Sequence, residues 1–257
     1  MIDLKDKLIK RELTIGSWIT FGDPAVAEIM ARAGFDWLTL DMEHGSLSSD
    51  QAQQIIRTID LCGIPPLVRI MENNPDLIKK YMDMGAHGVI VPLVNSMSDA
   101  EKAVNAVKYP PKGTRGVGLA RAQHYSLDLE SYMNWNQEKS IVIAMIEHIR
   151  AVENLESIIG VEGIDGVFIG PYDLSGSLGH PGQFEHPAVH EAMEEIYRKA
   201  KESGCLIGQH IVKPDPQGVF EAIDRGVQFI GFSDDFLYLG EYCRKLLGEI
   251  RKKTLKD

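Results

Sequence analysis

The chain has 257 residues, 44% of them hydrophobic and 25% charged, a composition that excludes a disordered or fibrous protein. With 27 Lys and Arg against 37 Asp and Glu, its formal charge is −10, which repels phosphate backbones and anionic membrane faces and argues against a nucleic-acid partner. The opening MIDLKDKLIKRELT has no apolar signal core and no run reaches the roughly 18 apolar residues of a bilayer span. Cys62, Cys205 and Cys243 lack metal-type spacing, so a cytoplasmic protein with no membrane association is expected.

Short apolar runs alternate with amphipathic stretches along the whole chain. The strand-like runs are 14–20, 36–41, 65–70, 88–94, 141–148, 166–171, 206–212 and 229–235. Most are apolar on both faces, as buried parallel strands are. Helical patterns fall between them at 24–33, 48–61, 75–84, 98–107, 151–159, 186–203, 214–225 and 236–253, opened by Ser48, Asn74 or Ser98 and stopped by Gly34, Gly63 or Gly85. Eight such units without a linker predict one closed (β/α)8 TIM barrel over residues 1–257, class α/β, with an extended C-terminal helix. An open doubly wound sheet is the alternative; no GxGxxG follows the first strand and no GxxxxGK[ST] occurs. Segments 108–140 and 171–186 exceed what a connector needs and are candidate walls of a site.

A barrel's active site lies at the carboxyl ends of its strands. The residues expected there are Asp41, Glu43 and His44 after the second run, Arg69 after the third, Glu147 and His148 after the fifth, and Gly170, Tyr172 and Asp173 after the sixth. Glu147 and Asp173 follow apolar runs that would bury an unpaired carboxylate. Either a hard divalent cation neutralises them, or each pairs with an arginine or caps a helix. His44 is either a proton acceptor beside such a cation or an idle loop histidine. Arg69 faces either an anionic substrate or a salt bridge to Glu147 or Asp41. Lys112, Arg115 and Arg121 in the 109–123 loop either receive an anionic substrate tail or are solvated. No strand-borne Lys except Lys213 and no GxSxG elbow is present, which disfavours Schiff-base and acyl-serine chemistry.

The strings GFDWLTLDMEHG, PPLVRI, YMDMGAHGVIVPLV, YPPKGTRGVG and GVFIGPYDLSGSLGHPGQFEHP resemble, in order and across nearly the whole chain, the HpcH/HpaI family of metal-dependent, class II pyruvate aldolases. The family's members act on 4-hydroxy-2-oxo acids such as 4-hydroxy-2-oxoheptanedioate and 2-dehydro-3-deoxyglucarate. The resemblance implies a lyase that cleaves such an acid to pyruvate and an aldehyde, with Mg2+ or Mn2+ as cofactor. It implies that Glu147 and Asp173 bind the metal, that Arg69 steadies the enolate oxygen, and that His44 is the base or its water-mediated partner. Asp83 would tune that histidine from a neighbouring subunit. Gly170 and Tyr172 would line the pyruvate pocket, and Asp41 would lie near the aldehyde. A homohexamer of dimers or trimers, with the C-terminal region exchanged between subunits, is implied as well. Met145 stands where the family commonly has a substrate-contacting Gln, and Tyr172 where a small residue or Pro is usual, so the acceptor aldehyde is left open. A decarboxylase or CoA-thioester lyase using the same enolate, and a barrel that senses a ligand without catalysis, are the competing readings.

Overall fold

A computed structural model describes residues 2–254; residue 1 and residues 255–257, the ends of the expected 1–257 unit, lie outside the described residues. Eight parallel strands close into a barrel in sequence order. They are β1 (Thr14–Ile19), β2 (Trp37–Asp41), β3 (Pro66–Arg69), β4 (Gly88–Val91), β5 (Ile141–Ile146), β6 (Gly166–Ile169), β7 (Ile207–Ile211) and β8 (Phe229–Asp234). Around them lie α1 (Leu4–Ile9), α2 (Pro24–Ala31), α3 (Ser49–Leu61), α4 (Pro75–Asp83), α5 (Met97–Val107), α6 (Leu129–Lys139), α7 (Ile149–Glu153), α8 (Leu155–Ile159), α9 (Pro171–Ser177), α10 (Pro187–Ser203), α11 (Pro216–Asp224) and α12 (Asp235–Thr254). The expected (β/α)8 class holds.

Both strand faces are buried, for different reasons. Outward residues such as Leu38, Leu40, Val68, Val89, Ile146 and Ile169 pack beneath the helices. Inward residues such as Trp18, Trp37, Leu67, Met145, Phe168 and Phe229 fill the bore. Trp37 stacks on Phe229 with centroids 4.1 Å apart, and Phe168 meets Phe229 edge-on at 6.0 Å. The bottom of the bore is stoppered by Leu4 and Leu8 of α1, a helix whose charged LKDKLI gives no sequence signal beyond one i,i+4 leucine pair. Because side chains alternate with period two, continuing inward from Trp37, Leu67, Met145, Phe168 and Gly208 leads to Asp41, Arg69, Glu147, Gly170 and His210 at the upper rim.

Three expectations are corrected. Ser96, not Ser98, caps α5 with its side chain on the Asp99 amide, and the helix begins at Met97; Ser48 and Asn74 cap α3 and α4 as expected. Segment 108–140 does not wall the site, because it follows helix α5 rather than a strand and so lies at the opposite, lower end, where it forms α6. Its cations are largely neither solvated nor free for substrate. Arg115 is buried, donating to Asp83 at 2.5 Å and lying over the Tyr109 ring at 4.6 Å, and Arg121 pairs with Asp60; Lys112 alone of the three is exposed. Segment 171–186 follows a strand, lies at the upper end and contains α9.

Of the 20 residues of α12 only Asp235 is buried. Its carboxylate accepts the Thr20 and Phe21 amides at 2.8 Å, which anchors the helix start to the end of β1. Beyond that anchor Leu239, Tyr242, Leu246, Leu247 and Ile250 are exposed. No described helix is long and apolar enough to cross a membrane.

Candidate active site

The upper mouth of the barrel holds a cavity of about 340 Å³ lined by Trp18, His44, Arg69, Met145, Gly170, Tyr172, Asp173 and His210 among others. Of the residues expected from sequence, the fold brings His44, Arg69, Gly170, Tyr172 and Asp173 to this one cavity, with Glu147 against Gly170.

Arg69 is fixed from below and from the side. It donates through Nε and Nη2 to the two carboxylate oxygens of Asp41 at 2.9 and 2.6 Å, and its Nε lies 3.3 Å from Glu43 Oε2. Its guanidinium carbon lies 4.6 Å over the Trp18 ring. Of the two alternatives, the salt bridge to Asp41 is therefore real, while Arg69 also faces the cavity. Asp41 itself is buried and does not line the cavity. Its Oδ1 additionally accepts the Glu43 and His44 amides at 3.1 and 3.2 Å. Asp41 thus holds Arg69 and the turn after β2; the arginine and these amides keep its carboxyl below the ordinary range against the pull of burial.

Glu147, 3% exposed, accepts the Leu93 amide on Oε1 at 2.6 Å. Leu93 adopts a left-handed backbone, φ 51°, an expensive conformation for a branched residue that turns this amide toward the carboxylate. On the other side, a Cβ at Gly170 would lie 2.8 Å from the Glu147 Cβ and 2.9 Å from its Oε2, so only glycine lets β6 end against it. Asp173, in the first turn of α9, is exposed to the cavity. His44 is largely exposed at the lip, its Nε2 3.8 Å from Glu43 Oε2. Tyr172 is exposed and meets Phe184 edge-on at 4.9 Å. Asp83 is not part of this gathering: it ends α4 at the lower face and is paired there with Arg115.

Sequence reading left four residues of the mouth without a role. Glu43 and Asp234 were visible at strand ends but unassigned; Trp18 and His210 lay inside strand runs, and only counting the inward alternation from the bore would have exposed them. Glu43 Oε2 is buried without a hydrogen-bond partner. Burial, with repulsion from Asp41 and Asp173, pushes Glu43 up to about 7 despite Arg69. Glu147 also rises to about 7, chiefly by burial, then by repulsion from Glu43 and Asp173, opposed by the Leu93 amide and Arg69.

Three carboxyls that repel one another, one with an orphaned oxygen, fit a divalent cation and oxygen ligation. Among the described residues no cage of three or more His, Cys, Asp and Glu ligands exists; two carboxylates leave positions for water and a chelating substrate. A carboxyl raised from 4.5 to about 7 on folding keeps its proton where the unfolded chain has lost it. Its contribution to stability is thus full below the unfolded value and lost as pH rises toward 7. His210, held down at about 4, works in the opposite sense, so the metal increment is the clean readout. Mg2+ or Mn2+ is expected to raise the Tm of chelator-treated protein more at pH 8 than at pH 5; equal increments by differential scanning fluorimetry would contradict the crowding.

A closed parallel barrel with its acidic, arginine-bearing cavity at the carboxyl ends of the strands is a (β/α)8-barrel enzyme. The sequence profile of a family described as HpcH/HpaI aldolase/citrate lyase matches residues 14–235, and the chain belongs to that family. It is 37% identical over 251 residues to a hydroxypyruvate/pyruvate aldolase of Pseudomonas aeruginosa, covering 96% of this chain and 92% of that protein. It is 36% identical over 245 residues to a 2-keto-3-deoxy-L-rhamnonate aldolase of Klebsiella pneumoniae subsp. pneumoniae, covering 94% and 91%. A crystal structure of a HpcH/HpaI aldolase/citrate lyase family protein from Burkholderia cenocepacia J2315 superposes with a TM-score of 0.91 at 32% identity, covering 98% of this chain and 100% of that one.

Proposed function

We propose that this chain is a carbon–carbon lyase that reversibly cleaves a 4-hydroxy-2-oxo acid to pyruvate and an aldehyde, with a divalent cation, Mg2+ or Mn2+, held by Glu147 and Asp173. The observation that carries the reading is the crowding of Glu43, Glu147 and Asp173 beside Arg69, with one carboxylate oxygen left without a partner. When bound, the cation supplies Lewis-acid stabilisation to the oxygens of the 2-oxo acid.

The chain's own residues do the rest. The C3–C4 bond breaks as the 4-hydroxyl loses its proton and its oxygen becomes the aldehyde carbonyl. His44, at the lip, takes that proton directly or through water. The electron pair moves onto C3 and the 2-oxo oxygen. Arg69, held by Asp41 in a fixed fork, gives that oxygen a positive partner whose effect grows as the charge develops. C3 then regains a proton to give pyruvate. Gly170 leaves room for the acid, and Tyr172 lines its mouth. Trp18 supports the guanidinium face. The reading treats the barrel as a single catalytic domain of a cytoplasmic enzyme without nucleic-acid or membrane partners. Incubating pyruvate with short and sugar-derived aldehydes plus Mg2+ or Mn2+ is expected to yield new 4-hydroxy-2-oxo acids by mass spectrometry; no product from any aldehyde with either metal would overturn it.

The reading includes a homo-oligomer, a hexamer, with Asp83 acting on His44 of another subunit, since in its own chain Asp83 lies at the far end of the barrel. The apolar face of α12, exposed at Leu239 (61%) and Tyr242 (63%), supports burial against a second copy. Leu239→Glu with Tyr242→Glu is expected to give smaller species by light scattering together with loss of aldol activity. A fully active monomer would sink this part.

A further inference from the structure

The side chains directly beneath Glu147 and Gly170 are apolar. Met145 stands two residues before Glu147 and Phe168 two before Gly170, so both point into the bore, and the β5–β6 register sets them opposite each other. Trp18 meets Phe168 edge-on with centroids 5.8 Å apart. All three line the cavity that also holds Arg69 and Asp173. The Met145 methyl carbon reaches the space beside Gly170: it lies 3.6 Å from where a Cβ there would stand, a point 2.9 Å from Glu147 Oε2. The polar atoms around this floor, Trp18 Nε1, Thr39 Oγ1 and His210 Nε2, are buried and offer it no hydrogen bond.

The substituents of a bound 2-oxo acid divide the cavity between them. Its carboxylate and 2-oxo oxygens turn toward Arg69 and the carboxyls that would hold a cation. His44, at the lip, takes the proton of the 4-hydroxyl, so the bond from C3 to C4 runs toward the lip. Whatever else C3 carries then faces the other way, onto Met145. That surface receives a methyl or methylene group without loss. A hydroxyl placed there gives up its water and finds only the thioether sulfur, a weak acceptor. Methionine is unbranched and adaptable, so an added carbon finds room where an added oxygen finds no proper partner.

We infer that Met145 is a specificity-determining residue for the 2-oxo acid: the floor it forms with Trp18 and Phe168 receives the C3 substituent, so acids whose C3 bears only hydrogen or carbon are preferred to those that carry a hydroxyl there. The inference rests on the aldolase reading and deepens it by naming the class of 2-oxo acid.

The test compares 2-oxobutanoate with hydroxypyruvate, which are alike in size and differ only in a methyl against a hydroxyl on C3. Each is titrated calorimetrically into the protein with Mg2+ and without aldehyde, its concentration counted as the keto form seen by NMR. The wild-type Kd is expected to be about ten- to a hundredfold lower for 2-oxobutanoate. Met145→Gln, close to methionine in length but able to pair with a hydroxyl, is expected to shrink that ratio by about tenfold, and Met145→Leu, which stays apolar, to keep it. A wild type that binds hydroxypyruvate as tightly as 2-oxobutanoate overturns the assignment, even if Met145→Gln fails to fold. A ratio unchanged in folded Met145→Gln, or lost equally in Met145→Leu, overturns it too. Exchange of the pyruvate methyl protons by the wild type keeps the two failures apart. Exchange with equal affinities removes only the role of Met145, whereas no exchange removes the pyruvate reading and this inference with it.

Discussion

Arg69→Lys is expected to lower kcat for aldol cleavage by about a hundred- to a thousandfold, the usual loss when one donor to a developing oxyanion is removed. Lysine keeps the charge but not the fork, and the fork is what Asp41 grips at 2.9 and 2.6 Å. The amine can answer Asp41 or the substrate oxygen, not both in the same geometry. Arg69→Ala goes further and leaves Asp41, 4% exposed, buried without its cation, a loss of about 3–5 kcal/mol. The two variants therefore separate chemistry from folding. Both lose turnover, and only the alanine variant melts much lower, by about 10 °C for a chain of this size. Steady-state kinetics alongside thermal melts checks the pair; Arg69→Lys within tenfold of wild type would remove the arginine from the oxyanion.

Glu147→Gln is expected to weaken Mn2+ binding, followed by calorimetric titration, by about a hundredfold or more, since even partners that only orient ligands are worth 10–100-fold. The metal-free variant should be as stable as wild type or more so. Glutamine fills the same space, its carbonyl oxygen still accepts the Leu93 amide, and the repulsion with Glu43 and Asp173 that helps hold Glu147 near 7 is gone. Unchanged Mn2+ affinity would contradict the assignment of Glu147, and a strongly destabilised apo variant would contradict the crowding.

The barrel was legible in sequence because most of the strands are apolar on both faces and because Gly34, Gly63 and Gly85, each with positive φ, stop their helices where the periodicity ends. Helices α1 and α6 were not. The first offers only Leu4 and Leu8, and the second buries only Asn136 among its eleven residues. Strand ends were read too long at 94, 148 and 171, since the chain leaves the sheet at Val91, Ile146 and Ile169, and apolar side chains continue past the first of these in Pro92, Leu93 and Val94. At the site, residues that end a strand were visible as polar breaks in apolar runs. What pairs with what was not visible: Asp41 and Arg69 are partners through a β2–β3 register that places them opposite each other, a tertiary fact. His210 was hidden because two adjacent polar residues, Gln209 and His210, within a strand run carry no signal until the inward face of the barrel is known. The burial of Arg115 and Arg121 was hidden likewise, their acidic partners being 32 and 61 residues away.

The most direct test is deuterium exchange into the methyl group of pyruvate, followed by NMR in deuterated buffer with no aldehyde present. It asks only whether the mouth of the barrel makes a deprotonated keto acid tolerable. Fast exchange with Mg2+ or Mn2+, abolished by chelator and by Glu147→Gln, is the expected result. Exchange that proceeds equally after chelation, or that persists in Glu147→Gln, would contradict it.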